Sequence, residues 1–415
     1  MATTTNIPGK APGSTESITI KASVLTGPKT LEIQPYTLPP LTPTSLRISI
    51  SSTGLCGSDL HYYTHFRNGD ILVREPLTLG HESVGVVTAL GEEIKAEGRL
   101  KLGDTVVMEV GQPCESCELC AEGRYNICRK MKFRSSAKGE GRHSQGTLME
   151  EICIEGVWCH KIHDKLKGYG ALVEPLAVAL HAAERVNLNK QKKGLKILVF
   201  GAGVVGLLCA AKCRDMYDAL VVIADTNEDR VKWAVENGFA DGWVVVSRGQ
   251  EKTVEGKLEF AKGVAEGIKG MKFGEEVLRK RGKGGEEGEE VVVGEVDATF
   301  ECTGAESCLQ SAIYATKPGG KVVLIGMGNP IQTLPISAAA LREVDLIGSF
   351  RYANNYAQAA SELAGLNSSQ GVDIKFEPLI TQRFKGIESI PDAFAMAARV
   401  KDDDGNMVLK VVVDF

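Results

Sequence analysis

Neither sign of charge dominates this 415-residue chain. Its 48 Lys and Arg stand against 53 Asp and Glu, a formal net charge of −5. That leaves no electrostatic footprint for nucleic acid or for an anionic membrane surface. No apolar run approaches the roughly 20 residues that cross a bilayer. The opening MATTTNIPGKAPGSTES has no apolar core segment and no arginine. Neither a secretory nor a transit leader is expected there. The closing KVVVDF carries no retention or peroxisomal tripeptide. A cytoplasmic protein is therefore expected. Also missing is the even cysteine spacing of a disulfide scaffold: eleven cysteines are present, four of them between Cys114 and Cys128. In a reducing compartment that cluster reads as metal ligation. Scattered cysteines such as Cys209 and Cys213 read as small buried hydrophobes.

The length calls for two or three domains. Residues 1–20 are rich in Thr, Ser, Gly and Pro and read as a mobile tail. From Lys21 to about Glu155, short β-branched runs (SLRISI, VGVVTAL, DTVVMEV) are broken by Gly, Pro and Asp, an all-β texture. After Gly168, ALVEPLAVALHAAERV has helical apolar spacing, and LKILVF reads as a buried strand. Strand and helix then alternate through LVVIAD, EDRVKWAVENG, VDATFEC and KVVLIG, which predicts a parallel sheet with helices on both faces. The stretch 250–290, with GKGGEEGEE, reads as a solvated insertion. A return to mixed elements at the end makes the first domain discontinuous. The expected division is 21–190 with 345–415, and 191–344.

Gly201-Ala-Gly203-Val-Val205-Gly206 follows a strand candidate and opens a helix. Gly201 permits a tight turn, Gly203 admits a pyrophosphate, and Gly206 allows close helix–strand packing. The free N–H groups of that helix start suit phosphate. Asp225 closes the next strand, nineteen positions after Gly206. A carboxylate there accepts from a ribose 2′-OH and repels a 2′-phosphate, which favours NAD. Arg230, five residues on, reads either as a partner for NADP or as a solvated helix residue packed near the adenine.

Two metal signatures stand upstream. Cys114, Cys117 and Cys120 form CxxCxxC, and Cys128 follows after seven residues. Four thiolates so spaced suit a closed tetrahedral zinc site, whereas a ferredoxin run brings its fourth cysteine after three residues and then proline. The second is Gly80-His81-Glu82 with Gly85 and Gly91, preceded by Cys56-Gly-Ser-Asp and followed by Glu174. One Cys, one His and one or two carboxylates leave an open position on zinc, as catalysis needs.

Together CGSDLHYY (56–63), GHESVGVV (80–87), PCESCELCAEGRYNIC (113–128), VEPLAVALHA (173–182), GAGVVG (201–206), FECTGAES (300–307) and SFRYANNY (349–356) resemble the zinc-containing medium-chain alcohol dehydrogenases. Within that superfamily the match points to the polyol branch of sorbitol, xylitol and L-arabinitol dehydrogenases. WCHKI (158–162) is similar to the L-arabinitol enzymes in particular. The resemblance implies an α/β protein with a GroES-like β-rich catalytic domain and a doubly wound Rossmann domain.

It further implies that Cys56, His81 and Glu82 hold a catalytic zinc, with Glu174 ligating it directly or through water. Cys114, Cys117, Cys120 and Cys128 would hold a structural zinc. Ser58 and His61 match the proton relay, and Tyr62, Arg351 and Tyr352 the polyol pocket. Gly326, Met327 and Phe350 would lie near the nicotinamide, with Asp225 and Arg230 at the adenosine ribose. The implied assembly is a homotetramer, alternatively a dimer. Two departures bear on substrate: the loop FRSSAKGEGRHSQGTLMEE (133–151) looks long, and ANNYAQ follows Arg351-Tyr352 where relatives often have CNTWP.

The expected chemistry is oxidation of a metal-acidified secondary hydroxyl. Its proton leaves through Ser58 and His61, or through water held by Glu174, and its hydride goes to the nicotinamide. The rival readings are a relative acting on another secondary alcohol, such as L-threonine or a butanediol, and a nucleotide-binding protein that does no catalysis.

Overall fold

The computed structural model describes residues 17–137, 142–282, 291–365 and 374–415. The N-terminal half is built on β structure because its short β-branched runs alternate between a buried and a solvated face. A seven-stranded sheet runs in the order Cys159–Lys161, Thr105–Met108, Glu82–Leu90, Ser45–Gly54, Lys410–Asp414 and Ile380–Lys385, with Glu151–Glu155 also paired to Ser45–Gly54. A three-stranded sheet formed by Thr30–Thr37, Thr19–Gly27 and Leu77–Thr78 lies beside it. The chain end returns to this layer: Val412, Val413 and Asp414 pair antiparallel with Gly54, Thr53 and Ser52. Thr19 already pairs with Thr37, so the expected tail gives way to strand before residue 20; its residues 1–16 lie outside those described.

The other layer is a six-stranded, wholly parallel sheet in the order Gly242–Val245, Leu220–Asp225, Lys196–Phe200, Val296–Glu301, Thr316–Leu324 and Asp345–Gly348. Numbered along the chain, this is 3-2-1-4-5-6, the doubly wound order with its switch point beside Lys196–Phe200. Ile197, Leu198 and Val199 are fully buried, as a strand covered by helices on both faces must be. Because Asp345–Gly348 belongs to this sheet, the chain leaves it after Gly348 rather than at 344.

The stretch 250–290 departs from the solvated excursion expected of it. Val254–Lys269 is a helix with Thr253 as its N-cap, and its Ala261, Ala265 and Ile268 are buried. Ala265 and Ile268 join Phe273, Leu278 and Val293 in one apolar cluster with Leu198, Phe200 and Val222 of the parallel sheet. The reason is periodicity: the few apolar residues of a polar segment recur at helical spacing and suffice for one face. The acidic tip 283–290 lies outside the described residues. Among the described residues no helix is long and apolar enough to cross a membrane.

Candidate active site

Cys56 sits where the strand Ser45–Gly54 hands over to the helix Gly57–His65, which it N-caps. His81 and Glu82 enter from the start of the adjacent strand, whose Glu82 pairs with Gly54. One ligand atom each from Cys56, His81 and Glu82 lies within 4.8 Å of the others. A Cβ at Gly54 would stand 2.5 Å from Glu82 Oε2 and 2.9 Å from Lys410 Cε, so any larger residue here would push those two side chains out of place.

Asp59 fixes the histidine. Its carboxylate is fully buried, accepts from Gly80 N at 3.1 Å and Ser135 Oγ at 2.7 Å, and stands 3.3 Å from His81 Nδ1. Burial alone would raise the Asp59 carboxyl; His81 and these donors outweigh it and hold it below its ordinary value. The other ring nitrogen, Nε2, lies 3.5 Å from Ser58 Oγ. Burial opposes a charge on His81, yet Asp59 and Cys56 push its pKa well above the ordinary value. The pocket is thus electronegative despite being buried, and a donor set of thiol, imidazole and carboxylate fits a zinc ion.

Glu174 approaches from the first turn of the helix Val173–Val186 and is buried. Burial raises its carboxyl to about 7, with His81 opposing and Glu82 assisting. It does not belong to the group of three whose ligand atoms converge. Arg351 faces the same pocket, its guanidinium 3.4 Å from the centroid of the Phe133 ring and within electrostatic reach of Glu174 and Tyr62. Burial lowers Arg351 to about 10. Tyr62 is buried, its hydroxyl 3.4 Å from Ala137 N. Tyr352 is buried too, and its Oη has no hydrogen-bond partner among the described residues. His61 lies one turn after Ser58, partly buried, and is held below its usual pKa by burial and by His65.

Sulfurs of the second cluster are 3.5 Å apart between Cys117 and Cys120, 3.9 Å between Cys117 and Cys128, and 3.6 Å between Cys128 and Cys114. A tetrahedron with Zn–S of about 2.3 Å has edges of about 3.8 Å. The four fit zinc. The amide and hydroxyl of Ser116 draw the Cys114 thiol down to about 6.

In the parallel sheet, Gly201 has φ +98°, Gly203 faces open space, and a Cβ on Gly206 would stand 1.8 Å from Gly201 O. The three glycines therefore serve a turn, an approach and a packing contact. Val205 is partly buried on the helix Val204–Tyr217, whose start carries no side-chain cap. Asp225 Oδ2 accepts from Ala202 N at 2.7 Å, which anchors the carboxylate against the glycine turn. Gly326 packs on Gly304 so closely that a Cβ would meet Gly304 N at 2.1 Å, and Met327 is half exposed beside it. Phe350 O accepts from Asn126 Nδ2 at 2.8 Å. Arg230 is partly buried rather than solvated, lies within electrostatic reach of Asp225 and donates through Nη2 to Val408 O at 2.7 Å, which joins the two layers.

Lys410 had no motif to announce it. It is buried from the last strand, ion-pairs with Glu82 and donates to Leu55 O at 3.1 Å. A lone lysine in the apolar run VLKVVV was the available signal.

Residues 42–164 match the alcohol dehydrogenase GroES-like domain and residues 204–365 the zinc-binding dehydrogenase domain. A sorbitol dehydrogenase of Arabidopsis thaliana is 35% identical over 396 residues, 95% of each chain. The chain belongs to the zinc-binding alcohol dehydrogenase family, polyol branch. An L-idonate 5-dehydrogenase of Vitis vinifera is 33% identical over 95% of this chain and 94% of the relative. The crystal structure of L-idonate 5-dehydrogenase from Escherichia coli aligns with a TM-score of 0.75 and 25% identity, over 96% of this chain and 99% of that one. The family consists of zinc-dependent oxidoreductases, for which zinc and NAD are the typical cofactors.

Proposed function

We propose that this protein oxidises a secondary hydroxyl of a polyol such as sorbitol, xylitol or L-arabinitol to a ketone, with NAD as hydride acceptor. The observation that carries the reading is the buried Tyr352 hydroxyl, which has no hydrogen-bond partner among the described residues and lies within electrostatic reach of Arg351 and Glu174. A simple apolar alcohol would leave both polar groups unpaired, whereas a substrate with several hydroxyls satisfies them.

When bound, zinc held by Cys56, His81 and Glu82 supplies Lewis-acid polarisation of a hydroxyl oxygen, and NAD supplies the hydride acceptor. Ser58 takes the proton of that hydroxyl and passes it one helical turn to His61 and water. Glu174, outside the converging three and raised to about 7, holds a water and offers a second proton exit near neutral pH. Arg351, Tyr352 and Tyr62 orient the neighbouring hydroxyls. Phe350, Gly326 and Met327 border the nicotinamide, and the Gly201–Gly206 turn takes the pyrophosphate. Asp225 selects NAD over NADP. Cys114, Cys117, Cys120 and Cys128 hold a structural zinc.

The guanidinium of Arg351 also suits a polyol bearing a carboxylate, of the kind named for the L-idonate 5-dehydrogenases. We further place the protein in the cytoplasm as a homotetramer, or alternatively a dimer. The strand Asp345–Gly348 is a sheet edge, and Ile331, Ile336 and Leu341 in the segment that precedes it are exposed, which supports self-association.

The test is NADH formation by the purified protein on sorbitol, xylitol, L-arabinitol, galactitol, L-idonate, L-threonine and 2,3-butanediol, with and without a zinc chelator. Chelator-sensitive turnover of a polyol is expected. Turnover of L-threonine or butanediol alone moves the protein to another branch, and NAD binding without turnover of anything makes it non-catalytic.

A further inference from the structure

The substrate-facing turn is strained. Arg351 and Asn354 both occupy the left-handed region, with φ +54° and +65°, which asparagine adopts readily and arginine rarely. Such a conformation persists only where the surroundings hold it. The surroundings here are the four-cysteine lobe. Asn354 N donates to Tyr125 Oη at 2.7 Å, Asn354 Nδ2 to Gly123 O at 2.9 Å, and Asn126 Nδ2 to Phe350 O at 2.8 Å. Gly123, Tyr125 and Asn126 all lie between Cys120 and Cys128, so one short segment bounded by two of the clustered cysteines grips both ends of the turn.

Tyr125 is itself fixed from behind. Its hydroxyl donates to Glu109 Oε2 at 2.9 Å, and the other oxygen of that buried carboxylate lies 3.1 Å from His160 Nε2. Trp158 packs on the Tyr125 ring at 5.5 Å, and His160 on Tyr356 at 5.4 Å. Tyr356 in turn packs on Tyr352. Burial and Glu109 keep the phenol protonated, so it can donate to the carboxylate while accepting from the amide. Two sequence features that no site residue explains, WCHKI at 158–162 and ANNY at 353–356, therefore meet in one network.

We propose that Tyr125, backed by Glu109 and His160, is a positioning residue for substrate recognition: it holds the turn 351–354 so that Arg351 and Tyr352 face the substrate. The four-cysteine lobe then shapes the substrate pocket from outside it, and differences at 158–160 and 353–356 retune specificity without touching substrate. This rests on the reading of Arg351 as a polyol-binding group.

The experiment compares Tyr125→Phe, Arg351→Ala and the double variant for KM and kcat on the best polyol, KM for NAD, and zinc content. The phenylalanine keeps the ring packing and removes both hydrogen bonds. Tyr125→Phe is expected to raise polyol KM about tenfold, with NAD KM and zinc content unchanged. The double variant is expected to fall clearly short of the product of the two single effects, because Tyr125 acts in part through Arg351. Asn354→Gly, which accepts the left-handed backbone but loses the tie to Gly123, should raise polyol KM about threefold. It keeps the test open should Tyr125→Phe fold poorly. If Arg351→Ala raises polyol KM and neither Tyr125→Phe nor Asn354→Gly does, the positioning role is wrong and the polyol pocket stands. Additive effects in the double variant, or a KM rise that tracks lost zinc, also overturn it. An Arg351→Ala enzyme with unchanged polyol KM overturns both readings.

Discussion

The two candidate metal-binding groups are made in opposite ways. Cys114, Cys117, Cys120 and Cys128 fall within one short segment, partly exposed, and need little more than their own turns to converge. Cys56, His81 and Glu82 come from the junctions of two strands and a helix, are surrounded by Asp59, Glu174 and Lys410, and exist only when the seven-stranded sheet has closed. A local group tolerates its context. A group assembled across a sheet carries buried charges whose balance depends on distant residues, so its failures are larger and reach further.

The strongest way to break this contrast is His81→Ala. Turnover should fall by about three orders of magnitude or more through loss of the electrophile. One zinc per chain should be lost and NAD binding retained, read by metal analysis and a binding titration. Lys410→Met comes next. It removes the ammonium that pairs with buried Glu82 and should cost about 3–5 kcal/mol in denaturant unfolding of the metal-free protein. No substitution in the exposed cysteine segment should cost as much through charge alone. Asp225→Ala, in the parallel sheet, should weaken NAD relative to NADP by about tenfold in kcat/KM, leaving both zinc ions in place.

The smallest effect sharpens the comparison with an ion pair far from either metal group. Asp297 accepts from Lys192 Nζ and Lys196 N, and Lys317 also contacts it. Burial would raise its carboxyl, but these partners hold it below the ordinary value. A carboxyl lowered in the folded state contributes stability above its unfolded pKa and loses it as pH falls through the folded value. Asp297→Asn should therefore lower stability by about 1 kcal/mol at neutral pH. The gap to the parent should narrow only below about pH 4, where the parent begins to lose the same contribution.

Much of the site was legible because each motif carries its own geometry. CxxCxxC sets sulfur spacing, and GAGVVG sets a turn, a phosphate approach and a helix start within six residues. Glu82 next to His81 pointed to a metal. Asp59 stood inside the quoted Cys-Gly-Ser-Asp stretch without a role, since nothing local says that its carboxylate reaches Gly80, Ser135 and His81. Lys410 was out of reach for a stronger reason: its partner Glu82 is 328 positions away, and only strand order brings them together. Arg230 shows the reverse case. Its place after Asp225 suggested the cofactor or solvent; it stays within electrostatic reach of Asp225, while its tie through Nη2 to Val408 across the two layers had no local signal. Helical spacing in the 250–290 stretch was masked by its Gly, Lys and Glu content, so a helix that packs on the parallel sheet read as solvated.

The sequence by itself determined the family, the clustering of four cysteines and the glycine turn after the first parallel strand, because those depend on residue chemistry at spacings of a few positions. Tertiary structure alone decided which carboxylate is neutralised by Lys410, that Glu174 stands apart from the three converging ligands, and that the four-cysteine lobe braces the Arg351–Asn354 turn. Each of these is a contact between segments far apart in the chain, and such contacts follow from sheet order and burial rather than from any local pattern.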